Sequence, residues 1–281
     1  VMAKIIEERF AVHLDDYKHY DTDTLRKHFL IEKIFTPDEV NFVYTHYERV
    51  MVGGAMPINK TLTLDSVDQQ KAEHFLDRRE LGAINIGGKA IVTIDGEIFD
   101  VDTREAIYIG RGAKDVTFAS ADSANPAKLY MNSAPAHASN PHKKVGMEDA
   151  NVLELGSPET CNERRINQLL IGGIVETCQL QMGMTEFKQG SVWNTMPMHT
   201  HSRRMEAYFY FNIPENGAVC HFMGPADETR HIWMNNEQAV VSPPWSMHSG
   251  VGTASYTFIW GMAGENLDYN DMDFHQPSTL K

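Results

Sequence analysis

The feature that most constrains this chain is the hydrophobic period of its middle. From Arg79 the text runs RELGAINIGGKAIVTIDGEIFDVDTREAIYIGRGAKDVTFASAD, a succession of short β-prone runs cut by glycine and by Asp-Gly. Alternation with a period of two is the signature of half-buried strands. Ile91, Thr93 and Ile94 lead into Asp95-Gly96 and are followed by Ile98 and Val101. That pattern predicts a hairpin, because Asp-Gly tolerates positive φ at both turn positions. The second half repeats the habit in GAVCHFMG, ETRHIWMNNEQAVVSPP and SYTFIWGM. Many short strands at roughly 8 to 12 residue spacing predict a sandwich or barrel.

Helical signals are confined to the start. Between Thr24 and Phe35, Leu25 and Phe29, Leu30 and Ile34, and Ile31 and Phe35 are each four apart, which predicts a short helix. Thr36-Pro37-Asp38-Glu39 reads as a second helix start, with Thr36 as N-cap and Pro37 at the first helical position. The stretch SAPAHASNPHKKVGMEDANVLELGSPET, rich in Ala, Ser, Pro and Asn, lacks periodicity and reads as an inter-domain linker.

An internal repeat is visible on either side of it. MPINKT at Met56 answers MPMHTH at Met196, and REAIYIGRG at Arg104 answers EQAVVSPPW at Glu237. By the same comparison Asn59 and Thr61 stand where the second copy has His199 and His201, and Glu80 stands for Glu206. A chain of 281 residues accommodates two such copies of about 140. The expected organisation is a degenerate domain over 1–140 that includes the helical start, and a metal-binding domain over 141–281.

With 25 basic residues against 38 acidic ones the formal charge is −13, which argues against a nucleic-acid or anionic-membrane partner. No run of about 18 apolar residues predicts a membrane span. Cys161, Cys178 and Cys220 are odd in number and far apart, unlike a disulfide framework. With no apolar h-region at the start, these features predict a reduced, cytoplasmic protein.

The chemistry concentrates in Met198-His199-Thr200-His201-Ser202-Arg203-Arg204-Met205-Glu206 and in Pro243-Pro244-Trp245-Ser246-Met247-His248. On a strand, residues i and i+2 share a face, so His199 and His201 present both imidazoles to one surface. Glu206 is five positions after His201, so a turn or bulge must intervene before it joins them. His248, from a later strand, would complete three nitrogens and one oxygen, a set that suits Zn, Fe, Mn, Ni or Co. An anionic substrate of so acidic a protein needs a local cation. Arg203 and Arg204 lie between the ligands, and Arg164 and Arg165 lie in the run NERRIN. Arg204 and Tyr208 are each two positions from Glu206 and share its face on a regular strand, whereas Arg203 points away.

His-x-His-x4-Glu followed by Pro-x-Trp-x-x-His resembles the two cupin motifs, with Trp245 where the second usually has glycine and Gly252 where it has asparagine. The longer strings NIGGKAIVTIDG, SAPAHASNPHKKV, ETCQLQMGMTE, WNTMPMHTHSRRMEAYFYFN and DETRHIWMNNEQAVVSPPWSMHSGVGT resemble the 5-dehydro-4-deoxy-D-glucuronate isomerase family, from about Thr24 to Asp273. The resemblance implies an all-β bicupin: two jelly-roll barrels with a few short helices. It implies an aldose–ketose isomerase of pectin or polyuronate breakdown and a homo-oligomer, commonly a hexamer. It further implies one Zn²⁺ per chain, held in the C-terminal domain by His199, His201, Glu206 and His248. For the chemistry the expected residues are Glu206 and Tyr208, with Arg204 and Arg165 holding the keto-deoxyuronate. The same ligand set also admits a non-haem iron dioxygenase or a non-catalytic sugar-binding bicupin.

Overall fold

Alternating strands bury one face each, and in this chain they close into two β-barrels with few helices. A computed structural model describes residues 3–265 and 267–281. The chain divides into two compact units, one made of 1–9, 34–150 and 169–181, the other of 10–33, 151–168 and 182–281. It therefore changes unit at several points rather than once after residue 140.

In the first unit a seven-stranded sheet runs, in hydrogen-bonded order, Lys4–Arg9, Val40–Thr45, Met51–Ala55, Leu129–Pro135, Arg79–Asn85, Ala106–Ile109 and Lys143–Val145. A four-stranded sheet of Leu62–Thr63, Val116–Ser120, Ala90–Ile94 and Glu97–Val101 completes it. Phe42, Leu81, Val92, Ile107, Val116, Phe118 and Met131 meet in its buried core.

In the second unit the larger sheet runs Asn151–Leu155, Arg164–Leu170, Gln181–Phe187, Thr257–Gly264, Arg204–Phe211, Gln238–Ser242 and Leu30–Ile31. The smaller one is Trp193–Asn194, Met247–Gly252, Val219–Gly224 and Arg230–Met234. Apart from the first and last strands of each larger sheet, the orders correspond strand for strand, so the repeat is real at the level of topology; Lys4–Arg9 runs parallel to its neighbour, whereas Asn151–Leu155 runs antiparallel. The all-β bicupin expectation holds.

The register corrects how the two copies match. Asn85 O accepts from Arg104 N at 2.6 Å, and Tyr210 O accepts from Glu237 N at 2.8 Å, at equivalent hairpin ends. Counting back four residues along each strand, Glu206 opposite Ser242 corresponds to Leu81 opposite Ile109. His248 opposite Met223 likewise corresponds to Val116 opposite Ile94. Both counterparts are buried and apolar. Glu80 is thus one position out of step with Glu206, and Asn59 and Thr61 precede the Leu62–Thr63 strand whereas His199 and His201 follow its partner.

Local expectations met mixed outcomes. The hairpin at Asp95-Gly96 forms, with φ of 48° and 91° between Ala90–Ile94 and Glu97–Val101. The helix expected over 24–35 is instead Thr22–Phe29, capped by the Asp21 carboxylate on Thr24 N. Leu30–Ile31 then leaves the helix to pair with Ala239 and Val240. No helix starts at Thr36: Asp38 takes φ of 59° and its carboxylate accepts from Ile58 N, Asn59 N and Asn59 Nδ2. The apparent linker holds two strands, Lys143–Val145 and Asn151–Leu155, one in each unit's larger sheet. All three cysteines are free, and no helix among the described residues is long and apolar enough to cross a membrane.

Candidate metal centre and active-site cavity

His199 sits in a two-residue strand, His199–Thr200, paired with Asp273–Phe274. A turn at Ser202-Arg203 then reverses the chain into Arg204–Phe211, which is the interruption the five-residue step to Glu206 required. His248 enters from Met247–Gly252 after the Pro243-Pro244 turn. All four side chains are buried, and one ligand atom of each lies within 4.8 Å of the others.

The donors face one another closely. Glu206 Oε2 is 2.9 Å from His201 Nε2 and 2.8 Å from His248 Nε2, and His248 Nε2 is 3.1 Å from His199 Nε2. His201 Nδ1 lies 3.0 Å from the Arg204 carbonyl, which only accepts, so this nitrogen carries the proton. Ser242 Oγ gives its proton to Ser246 O at 3.2 Å and therefore accepts from His248 Nδ1 at 3.1 Å. Each of these two histidines thus turns Nδ1 to an acceptor and Nε2 to the Glu206 carboxylate, the orientation in which Nε2 can give up its proton and ligate a cation set among them.

The electrostatics agree. Burial, then the neighbouring His248 imidazole, holds His199 down at about 2, so it is neutral, the form that ligates. Burial pushes the Glu206 carboxyl upward, but His248 and His201 outweigh it and hold the group well below the usual carboxylate range. Three imidazoles and one carboxylate fit a borderline transition-metal ion.

Of the four, His199 and Glu206 line a cavity of about 270 Å³ in the second unit. Arg164, Arg204, Tyr208, Trp260 and Tyr269 are among its other lining residues. Trp260 packs against the Gln181–Phe187 strand at Gly183, where a Cβ would come within 2.1 Å of its Cζ2. Tyr208 shares a hydrogen bond of 2.8 Å with Thr195 Oγ1, and burial followed by the Glu206 charge raises its hydroxyl well above the usual phenol range.

The expected arginines separate. Arg204 lines the cavity and is 1% exposed, but its Nη1 donates to Asp268 O and its Nη2 to Tyr269 O and Asp271 O, so its guanidinium fastens the 268–271 loop. Arg165 lies on the other face of its strand, 3.9 Å from Glu154 and off the cavity lining. Its neighbour Arg164 does line the cavity, with Nη1 bound to Asn162 O at 2.9 Å, and burial lowers its pKa while leaving it a cation. Two adjacent arginines give no sign in sequence of which faces inward, so the expectation placed on Arg165 passes to Arg164; Tyr269 and Thr195 also line the cavity and stand in no motif that marks them.

The chain compared with known proteins gives a consistent result. The model of the KduI/IolB family matches residues 29–277. The chain belongs to the KduI/IolB family. Relatives named 4-deoxy-L-threo-5-hexosulose-uronate ketol-isomerase include one from Formosa agariphila, 57% identical with both chains covered in full, and one from Bacteroides fragilis, 57% identical over 98% of each chain. Among solved structures, an IolB-like protein from Salmonella typhimurium superposes with a TM-score of 0.72 at 15% identity, covering 88% of this chain and 96% of its own. An oxalate decarboxylase from Lactobacillus farciminis reaches a TM-score of 0.53 at 13% identity, covering 71% and 74%. At these identities the last two speak for the fold alone.

Proposed function

We propose that the chain interconverts 5-dehydro-4-deoxy-D-glucuronate and 3-deoxy-D-glycero-2,5-hexodiulosonate, with zinc held by His199, His201, Glu206 and His248. The observation that carries this is the convergence of three imidazoles and a carboxylate, two of them in the wall of a cavity sized for a small sugar acid, in a family whose close relatives bear the ketol-isomerase name. Moving a carbonyl between adjacent carbons requires a proton to leave one and arrive at the other while negative charge develops on oxygen. Zinc bound at the cluster would supply Lewis-acid stabilisation of that charge.

The chain's own residues supply the rest. Arg164, charged and partly buried, is positioned to hold the substrate carboxylate through its planar fork. Tyr208 keeps its proton at neutral pH, so it serves as a donor to a substrate oxygen, with Thr195 fixing the hydroxyl. Arg204 acts by keeping the 268–271 loop over the cavity. Trp260, Phe258 and Tyr269 exclude water from the reacting carbons. A cytoplasmic homohexamer belongs to the same proposal and rests on the family resemblance. Turnover measured anaerobically before chelation, after it, and after zinc is restored tests the reading. Loss and recovery support it; no turnover by the fully loaded protein removes it.

A further inference from the structure

The first unit has a cavity of its own, of about 220 Å³, in which three of the lining residues are arginines: Arg49, Arg78 and Arg79. Tyr44, Phe75 and Gln69 also line it, and no carboxylate does. In a chain with 38 acidic residues against 25 basic ones, this concentration of unopposed positive charge is unexpected. Among the described residues none of the three guanidiniums has a carboxylate within 4.0 Å.

Arg79 is built into the wall rather than waving at its rim. It is 6% exposed; its Nε donates to Ser133 Oγ at 3.0 Å, and its Nη2 donates to Ser133 O at 2.8 Å and to Arg49 O at 2.6 Å. Arg49 reaches that position with φ of 54°. Nη1 has no partner among the described residues. By the strand register above, Arg79 is the counterpart of Arg204, whose Nη1 and Nη2 are both occupied by loop carbonyls. A buried cation left partly unpaired is costly, and burial together with Arg49 holds this guanidinium down at about 10. The counterparts of Glu206 and His248 here are Leu81 and Val116, so a ligand in this unit would be held by charge and not by metal.

We propose that this cavity is a binding site for a small oxyanion, a carboxylate or a phosphate, gripped by Arg79 and enclosed by Arg49 and Arg78. Guanidinium forks match the paired oxygens of both groups. The site stands apart from the candidate metal centre and does not depend on the isomerase reading.

The test uses the full-length, metal-loaded protein. Inorganic phosphate and D-galacturonate are titrated separately by calorimetry at low salt, into wild type and into the double variant R49N/R78Q. Both substituted side chains are exposed, and asparagine tolerates the left-handed backbone at position 49. Saturable binding to wild type is expected, weakened about tenfold or more in the variant, with melting temperature and turnover unchanged. Binding of phosphate alone assigns a phosphate or phosphorylated ligand, and binding of galacturonate that the variant loses assigns a sugar carboxylate. No saturable binding of either probe to wild type, or binding equal in wild type and variant, overturns the proposal.

Discussion

At the scale of single residues, the cavity makes Arg164 and Arg204 distinguishable by experiment. Arg164 has one donor tied to Asn162 O and faces the open cavity, so Arg164→Gln should raise KM by about tenfold to a hundredfold, the worth of one charge-assisted contact, with zinc content unchanged. An unaltered KM would remove it from the substrate site. His221 carries a pH signature. Asn194 Nδ2 donates to the Tyr210 hydroxyl, which leaves the Tyr210 proton for His221 Nδ1 at 2.8 Å. Burial, then His248, depresses His221 to about 3, against about 6.5 when unfolded. A histidine kept neutral in the fold contributes full stability above about pH 6.5 and loses it as pH falls toward about 3. Between pH 7.0 and 5.5 wild type should therefore lose about 1 kcal/mol more than His221→Gln, read from urea midpoints of the metal-loaded proteins. Equal losses would mean that His221 does not titrate in this range. The candidate metal-binding cluster was legible in the sequence because i, i+2 spacing and a proline turn are local signals. The split between Arg164 and Arg165 was not, since only the parity of their strand decides it.

Among elements, those whose signal is local were the ones that could be read. Asp95-Gly96 contains its own turn chemistry, and the hairpin follows. Thr36-Pro37-Asp38-Glu39 has equally local capping chemistry, yet Asp38 spends its carboxylate on Ile58 and Asn59, about 20 residues away, and the helix never starts. Glu80 shows the same limit. Matched by identity it resembles a relic of Glu206, but its carboxylate accepts from Cys178 N, Gln179 N and Leu180 N and from the Tyr108 hydroxyl. It thereby pins the 178–180 turn, nearly a hundred residues away in sequence, and it is fully buried. Glu80→Gln keeps the shape but places an amide donor against backbone N–H groups. A loss of about 2 to 3 kcal/mol in urea unfolding is expected, the cost of unmaking buried charge-assisted bonds. A change below about 0.5 kcal/mol would show that the backbone holds the turn by itself.

The molecule as a whole is a duplicated fold with an interleaved chain, and this has consequences for the metal centre. The segment 10–33 belongs to the second unit although the rest of that unit begins at residue 151. Within it, Tyr17 donates to Met223 O and Glu228 O, and Tyr17 and Phe29 pack on Trp245, three residues before His248. Leu30–Ile31 adds the edge strand beside Gln238–Ser242, whose Ser242 orients His248. The strand carrying one ligand and the serine that fixes its tautomer are thus supported by the other end of the sequence. Two similar sequence halves suggested a cut near residue 140, because a repeat is visible in the text whereas an exchange of short segments is not. A fragment of residues 141–281 keeps all four ligands but lacks this support. It should bind zinc at least tenfold more weakly than the full chain and unfold without a sharp transition, both measurable by metal titration and circular dichroism. Fusing residues 10–33 back through a flexible linker should restore affinity to within a few fold. If residues 141–281 alone fold cooperatively and bind zinc as the full chain does, the N-terminal segment is packing that the metal centre does not need.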